Sequence, residues 1–185
     1  IDQSAHTGVG HVRVDEHGQY DTIVINGANW NLEESDVEAF LSDGYIPQYV
    51  VFNFEANVQF LKKIIPTFKA LGSKIVMNFS PIVTDMRELL SMVDIAVMNL
   101  EEAQQILDIG DEDPLLLLGR LKSLGPEIVV ITQGADGSVA LNNDGGLLHV
   151  PAEKASVKNT VGAGDGFLAT LVYSLGIGID IEQSM

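Results

Sequence analysis

The feature that most constrains this chain is an alternation running from about residue 50 to 175: short β-branched apolar runs, each followed by apolar residues at helical spacing. Residues 50–54 form the first such run. Val58, Leu61, Ile64, Ile65, Phe68 and Leu71 then make a helical stripe over 58–71, with Pro66 placed to kink it or to start a second short helix. The same reading expects strands at 74–78, 94–98 and 127–132, and helices at 85–92, 101–107, 114–124 and 162–175. Strands alternating with helices imply βαβ units and a mostly parallel sheet covered on both faces. Such sheets bind ligands beyond the carboxyl ends of their strands. The residues to inspect are therefore Asn53-Phe54-Glu55, Asn78-Phe79-Ser80, Asn99-Leu100-Glu101-Glu102 and Thr132-Gln133-Gly134.

Ahead of the alternation, 8–14 and 20–26 read as two strands with one wet face, joined by the turn signal Asp15-Glu16-His17-Gly18. Asn31 with Glu34 resembles a capping box, followed by Val37, Phe40 and Leu41 at helical spacing. A second hairpin signal, Asn143-Asp144-Gly145-Gly146, separates strands expected at 138–142 and 147–151.

The chain has 185 residues, 46% of them apolar and 19% charged, enough for one domain with a real core. Its net charge of −16 argues against partners such as DNA, RNA or an anionic membrane surface. It would also repel an anionic nucleotide unless a cation or local backbone donors invert the field. There is no cysteine, which excludes disulfides and thiol catalysis and fits a cytoplasmic location. No apolar run is long enough for a membrane span. The sequence opens at Ile1 in what reads as mid-domain sequence and stops at Met185 shortly after a helical pattern, so it is either compact by design or a piece of a longer protein.

The richest constellation for chemistry is Asn159-Thr160-Val161-Gly162-Ala163-Gly164-Asp165. Small residues at 162–164 let backbone N–H groups converge, and the following helix adds its unpaired donors and positive dipole end. This makes an anion hole that needs no Lys or Arg. Asp165 beside it is either a base for an attacking hydroxyl or a helix cap. The second constellation is Thr132-Gln133-Gly134-Ala135-Asp136-Gly137, two glycines three apart at a strand end. It is either a ligand-approach loop or an ordinary turn. In the third, Asn99 and Glu102 share one helix face, to hold phosphate and a hydrated metal or to form a capping box. A dinucleotide fingerprint, a GK[ST] phosphate loop, a nucleophile elbow and a histidine metal spacing are all absent.

Taken together, these motifs resemble the ribokinase-like, or phosphofructokinase B type, carbohydrate kinase family, and they occur in family order. His6-Thr7-Gly8-Val9 with the first hairpin resembles half of the family's β lid, and Asn26-Gly27-Ala28-Asn29 the return to the core. Phe52-Asn53-Phe54-Glu55 resembles the strand end whose carboxylate touches sugar, and Asn78-Phe79-Ser80-Pro81 an NPxP-like stretch. Asn99 to Glu102 matches the NxxE motif, Thr132 to Gly137 the nucleotide loop, and Asn159 to Asp165 the signature ending in the catalytic base.

The resemblance implies an α/β fold: a three-layer α/β/α core with a mostly parallel sheet, plus part of a small β lid, incomplete at both ends. Residues 1–28 would be the partial lid and its return, and 29–185 the truncated nucleotide- and phosphate-binding core. The implied reaction moves the γ-phosphoryl group of ATP to a sugar hydroxyl. Asp165 is then the general base and Gly162, Ala163 and Gly164 the anion hole. Asn99, Thr132, Gly134, Asp136, Gly137 and Gly164 meet ATP, and Glu55 and Asp165 meet the sugar. Glu102 supports Mg2+ through water, and Asn159 with Val161 sits where relatives hold a monovalent cation such as K+. Asn159 departs from the Asp usual there, which puts that cation in doubt. A homodimer through the lid is a further implied partner. The fragment alone is expected to be inactive, because much of the sugar pocket and the adenine cover would lie outside it. Two other readings stay open: a non-catalytic binding or regulatory protein of this fold, and a nucleoside kinase.

Overall fold

The computed structural model describes residues 2–16, 20–110, 112–141 and 144–185. The chain opens with an antiparallel hairpin of β1 (Val9–Val14) and β2 (Tyr20–Ile25), in the register Val9 to Ile25. Arg13 pairs with Asp21 across it. The alternation of these strands suggests one covered face, yet every residue of β1 is exposed, and so are Ile23, Val24 and Ile25. No described element packs over either face closely enough to bury them.

A 3-10 turn at Gly27–Asn31 and helix α1 (Glu34–Leu41) lead into the core. Here the local pattern misplaces the helix start. The capping box is made by Glu33 and Asp36, whose carboxylate accepts from Glu33 N at 2.9 Å. Asn31 is spent elsewhere: its Nδ2 donates to Asp2 Oδ2 at 2.7 Å. It ends the 3-10 turn, two residues ahead of Glu33, which is the cap.

Six strands then form one sheet in sequential order: β3 (Tyr49–Phe52), β4 (Lys74–Asn78), β5 (Ile95–Asn99), β6 (Ile128–Thr132), β7 (Ser138–Leu141) and β8 (Leu147–Val150). The first four are parallel, and β7 and β8 are antiparallel additions. The connections are α2 (Val58–Ala70), a 3-10 segment at Met86–Met92, and α3 (Leu100–Leu107) followed by α4 (Pro114–Lys122). Helix α2 runs through Pro66 without a break in its assignment. After β8 come α5 (Ala163–Gly176) and a short α6 (Ile181–Ser184) that local spacing did not foreshadow.

Alternation along the strands divides the core in two. Ile75, Met77, Ala96, Met98, Val129 and Ile131 point to the face covered by α2, the 86–92 segment, α3 and α4. Val76, Ile95, Val97, Val130 and Ala140 point to the other face, against Leu168 and Leu171 of α5. The result is an α/β fold in three layers. The expected turn residues His17, Gly18 and Asn143, and the expected strand end at Asn142, lie outside the described residues. No described helix is long and apolar enough to cross a membrane.

Candidate active site at the strand ends

Parallel strands deliver their carboxyl ends to one edge, and the residues singled out by sequence sit along it. After β3, Phe54 N donates to Ser80 O at 3.1 Å; after β4, Phe79 N donates to Val97 O at 2.8 Å. The two phenyl rings are buried with centroids 5.5 Å apart. The loops after β3 and β4 are thus locked together by backbone and by packing. Glu55 projects from the first of them, exposed, with its N–H on Asn53 Oδ1 at 3.2 Å.

Asn99 closes β5 and caps α3. Its Oδ1 accepts from Glu102 N at 2.8 Å, and Glu102 Oε2 accepts from Asn99 N at 2.7 Å. The capping box is therefore real. Glu102 is half-buried, and that burial pushes its carboxyl above the usual glutamate range, against the pull of the Asn99 N–H and the Ser80 hydroxyl. Asn99 pairs with Thr132 across β5 and β6. A groove of about 300 Å3 opens there, lined by Asn99, Leu100, Glu101, Gln104, Thr132, Gln133 and Gly134. Gln104 was not singled out from the sequence. Its signal is positional: it lies one helical turn beyond Leu100, on the same face.

The two glycines after β6 have different reasons. Gly134, in the 3-10 turn Gly134–Asp136, has φ +59 and open space where a side chain would begin. Gly137 has φ +91, and a Cβ there would fall 2.0 Å from Val150 O. Gly137 is thus demanded by the packing of the turn on the segment after β8. Asp136 is exposed, its carbonyl 3.3 Å from His149 Nε2, and neither it nor Gly137 lines the groove.

The entry to α5 is a second site element. Residues 161–166 are all exposed. Gly162 adopts the left-handed conformation at φ +77 and accepts from Gly166 N at 2.9 Å. The structure differs from expectation at Ala163, whose N–H is taken by Thr160 O at 3.1 Å. Among the described residues, the N–H groups of Gly162, Gly164 and Asp165 have no such acceptor. The open donors at this helix start therefore belong to Gly162, Gly164 and Asp165. The N-cap of α5 is Gly162, which has no side chain to cap with, and among the described residues the Asp165 carboxylate has no hydrogen-bond partner. Asn159 Oδ1 accepts from Val161 N at 3.2 Å, so this amide oxygen serves its own turn.

No group of three or more His, Asp or Glu residues able to hold a metal occurs among the described residues. A lone carboxylate such as Glu102 suits Mg2+, which keeps several waters and takes much of its shell from phosphate oxygens.

Comparison with known proteins accords with this geometry. The profile of the pfkB family of carbohydrate kinases matches residues 1–185. A bifunctional ribokinase/ribose-5-phosphate isomerase A from Fructilactobacillus sanfranciscensis is 30% identical over 97% of this chain and 34% of its own length. Mouse ribokinase is 26% identical over 94% of this chain and 55% of its own. The structure of Arabidopsis thaliana ribokinase complexed with ribose and ATP superposes with a TM-score of 0.82 at 21% identity, covering 98% of this chain and 60% of that one. The chain thus spans about a third to a half of the curated relatives it matches.

Proposed function

Because this chain belongs to the pfkB family of carbohydrate kinases, we propose that it carries the phosphate-side machinery of an ATP-dependent sugar kinase. The observation that carries this reading is Asp165: an exposed carboxylate without a capping bond, in the first turn of α5 beside three open backbone donors. ATP supplies the γ-phosphoryl group. The Asp165 carboxylate takes the proton of the sugar hydroxyl, whose oxygen bonds to phosphorus while ADP departs with the bridging oxygen. The N–H groups of Gly162, Gly164 and Asp165 offset charge on the transferring group and cost no reorganisation, because the helix entry already aims them outward. Glu55 accepts a hydrogen bond from a sugar hydroxyl. Asn99, Thr132 and Gly134 line the groove for the nucleotide, with Asp136 and Gly137 acting through the shape of its turn. Glu102 would hold Mg2+ through water, which supplies charge neutralisation at the phosphates in a chain of net charge −16. Asn159 Oδ1, which keeps a second lone pair beside the Val161 N–H it accepts, and the Val161 carbonyl would offer a monovalent cation neutral oxygens without a carboxylate charge.

A pentose acceptor draws support from the ribokinases and a deoxyribokinase among the curated relatives, which also include a 1-phosphofructokinase and a 5-dehydro-2-deoxygluconokinase. The lid residues 1–28 are the surface through which we place a homodimer, because their Val9, Val12, Val14, Ile23 and Ile25 side chains are exposed. A coupled ADP-release assay on the protein expressed from its complete reading frame tests the function, with pentoses, hexoses and nucleosides as acceptors. Turnover dependent on a sugar supports it. Turnover with nucleosides alone reassigns the acceptor, and no turnover with any of them leaves a non-catalytic binding protein of this fold.

A further inference from the structure

The turn after β6 forms one wall of the groove, through Thr132, Gln133 and Gly134. Its backbone hydrogen bonds close on themselves. Gln133 N donates to Gly137 O at 2.8 Å, Asp136 N to Gln133 O at 3.2 Å, and Gly137 N to Gly134 O at 3.2 Å. At the base, Thr132 pairs with Ser138 across β6 and β7. These bonds fix the shape of the turn but not how its tip leans over the sheet. That tie comes from β8. His149, paired with Val139 across β7 and β8, is exposed and places Nε2 3.3 Å from the Asp136 carbonyl oxygen. A carbonyl oxygen only accepts, so Nε2 carries the proton and donates. Among the described residues, His149 is the one side chain bonded to the turn from outside it. Beside that bond the two backbones close up: a Cβ on Gly137 would lie 2.0 Å from Val150 O and 2.8 Å from Ala152 N. The tip therefore meets a steric stop at the end of β8 and is held there by one imidazole.

We propose that His149 is a positioning residue for the nucleotide: its imidazole holds the Asp136 carbonyl and, through Asp136 N on Gln133 O, sets where Gln133 and Gly134 stand in the groove wall. The inference rests on the reading of that groove as the nucleotide site. His149 lies outside the groove lining, so it acts through the turn and not on the ligand.

The test uses the protein expressed from its complete reading frame, as wild type, His149→Phe and His149→Gln. Phe keeps a ring and removes the donor; Gln removes the ring and keeps an N–H at similar reach. Calorimetry gives the affinity for Mg-ATP, steady-state kinetics with the acceptor found in the panel above give kcat and both KM values, and melting curves run alongside. His149→Phe should weaken Mg-ATP binding roughly three- to tenfold, as loss of one hydrogen bond predicts, with KM for ATP rising in step. Its kcat, its KM for the acceptor and its melting temperature should stay near wild type, and His149→Gln should restore Mg-ATP affinity. Unchanged Mg-ATP affinity in His149→Phe, or failure of Gln to restore it, overturns the proposal. A fall of many degrees in melting temperature also overturns it, by assigning His149 to folding. If wild type itself binds no Mg-ATP, the nucleotide reading of the groove fails first and this inference falls with it; if wild type and His149→Phe bind equally well, this inference alone fails.

Discussion

Asn99 and Glu102 hold each other across the first turn of α3, with Asn99 Oδ1 accepting from Glu102 N at 2.8 Å and Glu102 Oε2 accepting from Asn99 N at 2.7 Å. The pair therefore does structural work before any ligand arrives. Asn99→Ala should lower stability by about 1 kcal/mol through loss of the cap, whereas Asn99→Asp should nearly preserve it. Denaturant melts separate the two. Equal stability for Asn99→Ala and wild type would show that α3 does not depend on this cap.

Strand positions were legible because each parallel strand is a continuous apolar run between polar loops; the run ending at Asn78 coincides with β4. Side-chain commitments across the fold were not. Asn31 has the spacing of a helix cap, but the helix begins after Glu33, and the Asn31 amide donates to Asp2, 29 residues away. The spacing of Gly134 and Gly137 fits a ligand-approach loop and an ordinary turn alike, and only the close pass of the Val150 backbone gives Gly137 its reason. A spacing of three between an amide and a carboxylate cannot by itself separate a cap from a phosphate site, and Asn99 with Glu102 forms the cap while facing the strand-end edge. At Ala163, spacing placed a donor in the anion hole that the Thr160 carbonyl already engages. Local pattern thus picks out the candidate strand-end residues, and hydrogen bonds near and far in sequence decide which of their atoms remain open.

Nucleotide binding should require a divalent cation. Among the described residues, the groove beside Asn99 is lined by Glu101 and by no Lys or Arg, and the chain carries a net charge of −16. Backbone donors alone are a weak match for a polyanion in that field. Calorimetric titration of ATP should give binding with Mg2+ and a large loss in EDTA. Equal affinity in both buffers would contradict this.

Asp2 should titrate far below ordinary aspartates. The Asn31 amide, then the Ser4 hydroxyl and N–H, hold its carboxylate ionised down to about 2, against an ordinary value of 3.8. The folded value lies below the unfolded one, so the stabilisation is fully present above the ordinary aspartate range and is lost as pH falls through about 2. In an NMR titration of the carboxyl carbon, Asn31→Ala should move Asp2 back toward 3.8. An unmoved Asp2 would mean that Asn31 is not its principal partner.

The most direct test is steady-state kinetics of Asp165→Asn in the protein expressed from its complete reading frame. The substitution keeps the shape of the α5 entry and its open N–H donors but removes the proton acceptor. Loss of a general base costs roughly 10²–10⁴-fold, so kcat should fall by that factor while the affinity for Mg-ATP stays near wild type. A kcat within about threefold of wild type, far short of that general-base cost, would contradict the assignment of Asp165 as the base.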